Sequence, residues 1–490
     1  MSFKFFKYIF GVILIATVFV SAYVFLDHAK DKTPNEEAIQ ILIDHDIDWN
    51  AIEIELATVL TDLIQMQTIR KDEAQAAFYL QKILEKEGIQ TKIIPHPDRP
   101  DKVSLVAEIG PAQSDNGVIL LNHTDVVEAD EADWNIPPFS GEMKDNIIYG
   151  RGALDMKGMA TMELMAFIML HRFNVPLNQK VMFLSVPDEE SGGNLGAKFL
   201  LDNHEDLFGG YRFVINEGGF GIKDFPKPSN KVFTIQTSEK GILGLELTAK
   251  GSSGHGSMPT REYSSLNLIK LMNELQGLQK FSLTTQTIEF FNTLSSFYDF
   301  PENFLLKRIH NPLIQKILSE RLMDNRSINA MVTNTISITN LTTDTPAGNV
   351  IPAESKAYLD IRVLPNVDHD VLLKDIQSRA QKYAIDVKVI ESYPSSQSSA
   401  DTDFYSILYT VLSDNIPEAQ VTQYLSPGAT DNRFFREKGF ECYGLIPILV
   451  TMEDIATLHG KNESISLENL SLGTKILFES LVGFNQIQNM

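Results

Sequence analysis

Three apolar runs in the first half of the chain each stop at a cluster of polar residues: "GVILLNHTD", "QKVMFLSVPDEE" and "YRFVINEGG". Runs of Val, Ile, Leu and Phe with so little polar interruption read as strands buried on both faces, the form parallel strands take beneath helices. Helical stretches separate them, "DMKGMATMELMAFIMLHRF" after the first and "GGNLGAKFLLDNH" after the second. Further upstream, "NAIEIELATVLTDLIQMQTI" and "DEAQAAFYLQKILEKEG" carry apolar residues at helical spacing, and "IQTKIIP" and "KVSLVAEIG" read as strands. Strand and helix in alternation predict an α/β fold with a mostly parallel central sheet, whose sites gather at the carboxyl ends of the strands. Each polar cluster stands at such an end.

A chain of 490 residues is long for one compact domain. After residue 241 its texture changes. "ILGLELTAKG", "TNTISITNLT", "SKAYLDIRVLP" and "IDVKVIES" read as amphipathic strands, and "SSLNLIKLMNELQ" and "HDVLLKDIQSRAQKYA" as helices. Two helices on one face of a small antiparallel sheet account for them. The reading therefore divides the chain into 50–241 and 396–490, two parts of one catalytic domain, interrupted by a smaller α+β domain over 242–395 with a helical insert near 285–326.

Ahead of these lies "YIFGVILIATVFVSAYVFL", Tyr8 to Leu26, with no charged residue over about one bilayer's worth of helix. Lys4 and Lys7 precede it and orient that end toward the cytoplasm. Residues 1–30 thus read as an uncleaved signal anchor or as a signal peptide cut after Ala22, and 31–49 as a polar stalk. Either way the remainder faces the extracytoplasmic side, membrane-anchored in one case and secreted or periplasmic in the other. A formal net charge of −22 without a basic stripe argues against nucleic acid as a partner. The single cysteine, Cys442, excludes an intrachain disulfide and a thiolate zinc site, and its place in "GFECYGLIPIL" reads as inert core.

The polar clusters hold the chemistry. His123 and Asp125 end one strand, and residues two apart on an extended chain point the same way, so Asp125 is placed to accept from the second ring nitrogen of His123. Taken alone, this H-x-D is equally a surface loop. Asp155, between glycines and before a helix, reads as an N-cap or as a carboxylate bridging two cations. Glu189 and Glu190 in "PDEESGG", Glu217 in "NEGG" and His459 in "TLHGKNE" complete the set. Two imidazoles and several carboxylates at successive strand ends suit zinc, and a shared carboxylate suits a pair of metals. His96 and His171 read as ordinary surface residues.

The series H-T-D, G-R-G-A-L-D-M-K-G, D-E-E-S-G-G, N-E-G-G and L-H-G resembles the aminoacylase, carboxypeptidase S and succinyl-diaminopimelate desuccinylase family of dinuclear zinc hydrolases. Further matches are "GSSGHGSMP" with His255, "PAGNVIPAESKAYLDIRVLP" with Asn349 and Arg362, and "GATDNRFF" with Asp431 and Arg433. The insert and the N-terminal apolar segment are most similar to the carboxypeptidase S branch. The resemblance runs from about residue 50 to the end and implies a zinc-exopeptidase-like three-layer α/β/α catalytic domain with a ferredoxin-like lid and dimerisation domain. It also implies two Zn2+ ions per subunit, with Co2+ or Mn2+ as substitutes. His123 and Glu217 would hold one ion, Glu190 and His459 the other, and Asp155 both, with Asp125 supporting His123. Glu189 would be the general base. His255 would stabilise the oxyanion, across the subunit boundary in dimeric members. Asn349 and Arg362 would bind substrate, Arg362 its terminal carboxylate; without the resemblance Arg362 reads as an exposed strand residue.

These roles imply a metal-dependent hydrolase of amide bonds, acting on peptides with a free C-terminus or on N-acyl amino acids. An activated water attacks the carbonyl, Glu189 takes its proton and returns it to the leaving amine. The arginine fork selects a free carboxylate. Two alternatives stand beside this one: a strict aminoacylase, and a metal-retaining but inactive scaffold at the membrane. The second is disfavoured because neither a ligand nor the base is missing. Pro187 departs from the family pattern without touching a ligand, and the extra acid of "DVVEADEADW" would disfavour acidic substrates.

Overall fold

In the computed structural model, which describes residues 47–487, the expected runs become the middle of a nine-stranded sheet. The strands Val181–Val186, Gly117–His123, Tyr211–Lys223 and Glu441–Val450 lie side by side in that order and run parallel. Arg99–Ile109 and Thr91–His96 extend one side antiparallel, and Lys231–Glu239 adds to the other, pairing parallel with Ala419–Ser426. Every residue of Gly117–His123 and Val181–Val186 is buried, as a strand covered on both faces must be.

The covers explain the burial. On one face, Ile119, Leu121, Met182, Leu184 and Cys442 pack with Ala197, Leu200, Phe434 and Phe435 from the helices Ala197–Asn203 and Asn432–Glu437. Helix Lys157–Arg172 covers the opposite face beneath Trp49–Gln65 and Leu467–Ile487, and each of its residues from Lys157 to Leu170 is buried. A helix with apolar residues on every face belongs between a sheet and other helices, which is where this one lies. The catalytic unit is thus a three-layer α/β/α sandwich. Cys442 is core, and burial pushes its thiol well up.

The chain leaves the large sheet at Glu239 and re-enters it at Ser396–Gln397. In between, four strands form an antiparallel sheet in the order Thr335–Thr343, Glu354–Val363, Gly241–Lys250, Ile385–Tyr393. Helices Ser264–Gln276 and His369–Gln381 seal one face through Leu268, Leu271, Leu275, Leu372 and Ile376. Read along the chain this is strand–helix–strand–strand–helix–strand, the ferredoxin-like arrangement.

The insert is helical, with Thr285–Leu294, Glu302–Lys307, Pro312–Met323 and Arg326–Val332. Its apolar residues do not join the smaller sheet's core. Phe290, Phe291, Leu294, Ile309 and Met331 pack instead on Val232 and Tyr424 of the large sheet. Among the described residues no helix is long and apolar enough to cross a membrane. The anchor or signal segment expected over 1–30, and most of the stalk, lie outside the described residues.

Candidate metal centre

His123 ends its strand fully buried, with its ring Nε2 3.2 Å from Asp155 Oδ1 and 3.8 Å from Glu217 Oε1. The other oxygen of Asp155 lies 3.0 Å from His459 Nε2, and that same nitrogen lies 3.2 Å from Glu190 Oε1. Asp155 therefore stands between two imidazoles, one oxygen toward each. Asp155 is not the N-cap of the helix that follows; Met156 holds that position and no side chain caps it.

The stretch Val186–Gly193 brings two adjacent carboxylates to this cluster. Asp188 adopts a left-handed conformation, φ +76°, and Glu189–Ser191 then forms one 3₁₀ turn. Neighbouring side chains on a strand point to opposite faces, but on this turn Glu189 and Glu190 both reach the cluster. The turn closes on Gly192 and Gly193 at φ +106° and +68°, and a Cβ at Gly193 would meet Asp431 Oδ1 at 2.1 Å.

The expected support of His123 takes a different form. Its Nδ1 lies 2.9 Å from the backbone carbonyl of Asp125 and 3.5 Å from the Asp125 carboxylate. That carboxylate instead accepts from the backbone N–H groups of Glu189 at 3.1 Å and Glu190 at 3.0 Å. Asp125 thus orients the ring through its main chain and the acidic turn through its side chain.

Charge in the cluster is unbalanced. Burial, then the neighbouring carboxylates, push Glu217 well above the usual carboxyl range, with His123 pulling the other way. Burial also drives Glu189 well up, and the Asp431 and Glu190 charges reinforce it. The carboxylates of Asp155 and Glu190 beside it lift the half-exposed His459 to about 10. For His123 burial works downward, but its carboxylate partners override it and the ring is held well above its usual value. Asp155 is held low by His123 and His459 despite its burial. Crowded carboxylates resist ionising and the imidazoles among them hold protons, the charge balance that a divalent cation would relieve. Glu190 Oε1, although near His459, makes no hydrogen bond. Oxygens and ring nitrogens from His123, Glu189 and Glu217, and again from His123, Asp155 and Glu190, lie within 4.8 Å of one another. A mixed imidazole and carboxylate set around a carboxylate with both oxygens engaged fits divalent cations. Proximity alone does not separate Glu189 from the ligands, since its oxygen is as close as theirs.

A cleft of about 280 Å³ opens beside the cluster, lined by Ile69, Asp125, Val126, Glu190, Ser191 and His459. His255, Asn349 and Arg362 are elsewhere. His255 is exposed on a two-residue strand beside Val350, its ring on Ser257 Oγ at 2.8 Å, and the Asn349 carbonyl accepts from Gly256 N–H. Arg362 forms a fork with Asp360, two residues before it on the same strand of the smaller sheet, Glu354–Val363. Among the described residues none of the three bonds to the His123 cluster.

Other buried charges support the site without having stood out as candidates. Lys102, in "DKVSLVAEIG", pairs with Glu73 and, at 3.2 Å, with Asp188, whose backbone N–H donates to Glu73. Glu463, in "TLHGKNE", is fully buried and accepts from four donors on the Asp155 loop. The one signal for Lys102 was a charged residue entering an apolar strand, and Glu463, in a polar loop, gave none.

With this geometry in place, likeness to known proteins becomes informative. Residues 119–482 match the model of Peptidase family M20/M25/M40. An N-fatty-acyl-amino acid synthase/hydrolase of Homo sapiens is 28% identical over 417 residues, covering 83% of this chain and 81% of that one. A probable carboxypeptidase S-like 2 of Dictyostelium discoideum is 27% identical over 366 residues, covering 72% and 68%. In fold, an M20 family metallo-carboxypeptidase from Sulfolobus solfataricus superposes with a TM-score of 0.67 at 20% identity, over 88% of this chain and 99% of that one. The match spans every ligand candidate, from His123 to His459, and the chain is accordingly a metal-dependent amide hydrolase belonging to Peptidase family M20/M25/M40.

Proposed function

We propose that the substrates carry a free amino-acid carboxylate, being N-acyl amino acids or peptides with a free C-terminus, and that two Zn2+ ions serve their hydrolysis. The observation that carries the two-ion reading is Asp155, whose oxygens face His123 at 3.2 Å and His459 at 3.0 Å from opposite sides. His123 and Glu217 would hold one ion, Glu190 and His459 the other. When bound, the ions supply Lewis-acid polarisation of the scissile carbonyl and lower the proton affinity of water. Glu189, on a turn pinned by Asp125, takes the proton of the attacking water and returns it to the leaving amine. Arg362 recognises the carboxylate and His255 the developing oxyanion, with Asn349 beside it; both roles require the smaller domain to close over the cleft or a partner to supply it. A strict aminoacylase is the second reading, favoured by the human relative, whose name specifies N-fatty-acyl amino acids. Tyr8–Leu26 would anchor the chain on the extracytoplasmic side, or be removed with a signal peptide.

The full chain, loaded with zinc, decides between these readings when turnover of an N-acyl amino acid is compared with that of the matching dipeptide. Hydrolysis of both supports the broad reading, of the first alone the strict one. Equal turnover of substrates whose carboxylate is amidated would refute carboxylate recognition.

A further inference from the structure

The two loops that bring Asp155 and His459 together are remote in sequence and belong to no common strand of the large sheet. They meet on a small ladder, where Ser464–Ser466 pairs antiparallel with Ile147–Tyr149. Gly150 N–H continues that ladder to the Glu463 carbonyl at 2.9 Å. There the Glu463 side chain turns inward. Its Oε1 accepts from Leu154 N–H at 2.7 Å and Asp155 N–H at 3.0 Å; its Oε2 accepts from Arg151 Nη1 at 2.8 Å and Gly152 N–H at 3.1 Å. Four donors fill the lone-pair sites a carboxylate has to offer. Arg151, 2% exposed, carries the link onward, donating through Nη2 to the carbonyl of Gly460 at 2.6 Å, the residue directly after His459.

The connection is therefore continuous, from the Asp155 backbone through Glu463 and Arg151 to the Gly460 carbonyl, one residue past His459. It is made of buried and part-buried hydrogen bonds to the Glu463 carboxylate and from the Arg151 guanidinium, which are directional and costly to break. His459 needs such a tether. Its ring is 55% exposed, its backbone holds a left-handed φ of +55°, and among the described residues its side chain has Asp155 and Glu190 as polar partners. Glu463 and Arg151 approach no reacting atom themselves.

We propose that Glu463 and Arg151 are positioning residues for the metal centre. Glu463 sets the Asp155 carboxylate, Arg151 sets His459, and the ion pair between them fixes the distance that Asp155 spans. The inference rests on the two-ion reading above. It also separates these residues from the many buried ion pairs that serve stability alone, because both ends of this one lie on ligand-bearing loops.

The test uses the full chain in detergent, stripped of metal and titrated with Mn2+, with electron paramagnetic resonance reporting the exchange coupling of a filled pair. Glu463→Gln keeps the shape but offers one acceptor oxygen where four donors converge. Arg151→Lys keeps the charge but cannot fork to Glu463 and Gly460 together. Each substitution is expected to weaken uptake of the more weakly held ion by about 10- to 100-fold, the range for residues that orient ligands, and to abolish or shift the coupled signal. Glu87→Gln, which breaks an ion pair with Arg172 remote from the site, controls for lost stability and should leave both readouts unchanged. Wild-type affinities and coupling in both variants would overturn the proposal. A wild-type chain that never takes up a second ion would overturn the two-ion reading, and this inference with it, at the first step of the titration.

Discussion

Replacing Asp125 by Asn separates two accounts of what that residue does. Its carboxylate is 1% exposed and accepts from two peptide N–H groups, those of Glu189 and Glu190, at 3.1 and 3.0 Å. A hydrogen bond to a charged group contributes about 1.5–3 kcal/mol, a neutral one about 0.5–1.5 kcal/mol, and a buried donor left unpaired costs about 1–3 kcal/mol. Asn keeps one oxygen acceptor, as a neutral bond, and turns its own N–H2 against the second peptide N–H. The net loss is about 3 kcal/mol, placed on the acidic turn. One decade per 1.36 kcal/mol makes that roughly a 150-fold rise in local opening. Hydrogen exchange of the metal-free protein, followed by mass spectrometry, should show faster exchange in the peptide covering 186–193. The strand 117–123 should change little, because the His123 ring bonds to the Asp125 carbonyl, which the substitution preserves. Unchanged exchange over 186–193 with deprotection confined to 117–123 would refute this division of labour and restore the carboxylate as the partner of the ring.

Four further outcomes follow from the geometry. Glu189→Gln should retain both ions by metal analysis while kcat falls about 10²- to 10⁴-fold, the usual worth of a general base; lost metal would make Glu189 a ligand. Asp155→Ala should lower the bound stoichiometry from two ions to one or none, since both imidazoles lose the carboxylate they share. Lys102→Met leaves Glu73 and Asp188 buried and uncompensated, so urea denaturation at pH 8 should show a loss of about 3–5 kcal/mol. Glu163 is buried against Asn122, and burial holds its carboxyl well above the ordinary value. A raised folded-state value means that stability is full below the unfolded value of about 4.5 and declines as pH rises toward the folded one. Glu163→Gln should therefore melt higher than wild type at pH 9, with the advantage shrinking toward pH 5.

Much of the fold was legible because strands buried on both faces cannot hide their composition. "GVILLNH" and "VMFLSV" read as buried strands, and the largely apolar helix Lys157–Arg172 belonged inside. The four amphipathic strands and two helices of the smaller sheet showed equally in their alternation. Where the insert would pack did not show. Its apolar residues look the same whether they cover the smaller sheet or, as they do, Val232 and Tyr424 of the large one.

At the site, the sequence by itself determined which side chains were available: His123, Asp155, Glu189, Glu190, Glu217 and His459, each in a polar cluster beside an apolar run. Their number and chemical mix already implied cations. Tertiary structure decided what each one does, because hydrogen bonding and burial are properties of neighbours distant along the chain. It gave the Asp125 carboxylate to the acidic turn and only its carbonyl to His123. It buried Glu463, 308 residues from Asp155, under four donors that no local pattern announces. It also kept His255 and Arg362 on the smaller domain, away from the ligands their motifs would serve. A pattern of residues names the donors; only the folded chain assigns their partners.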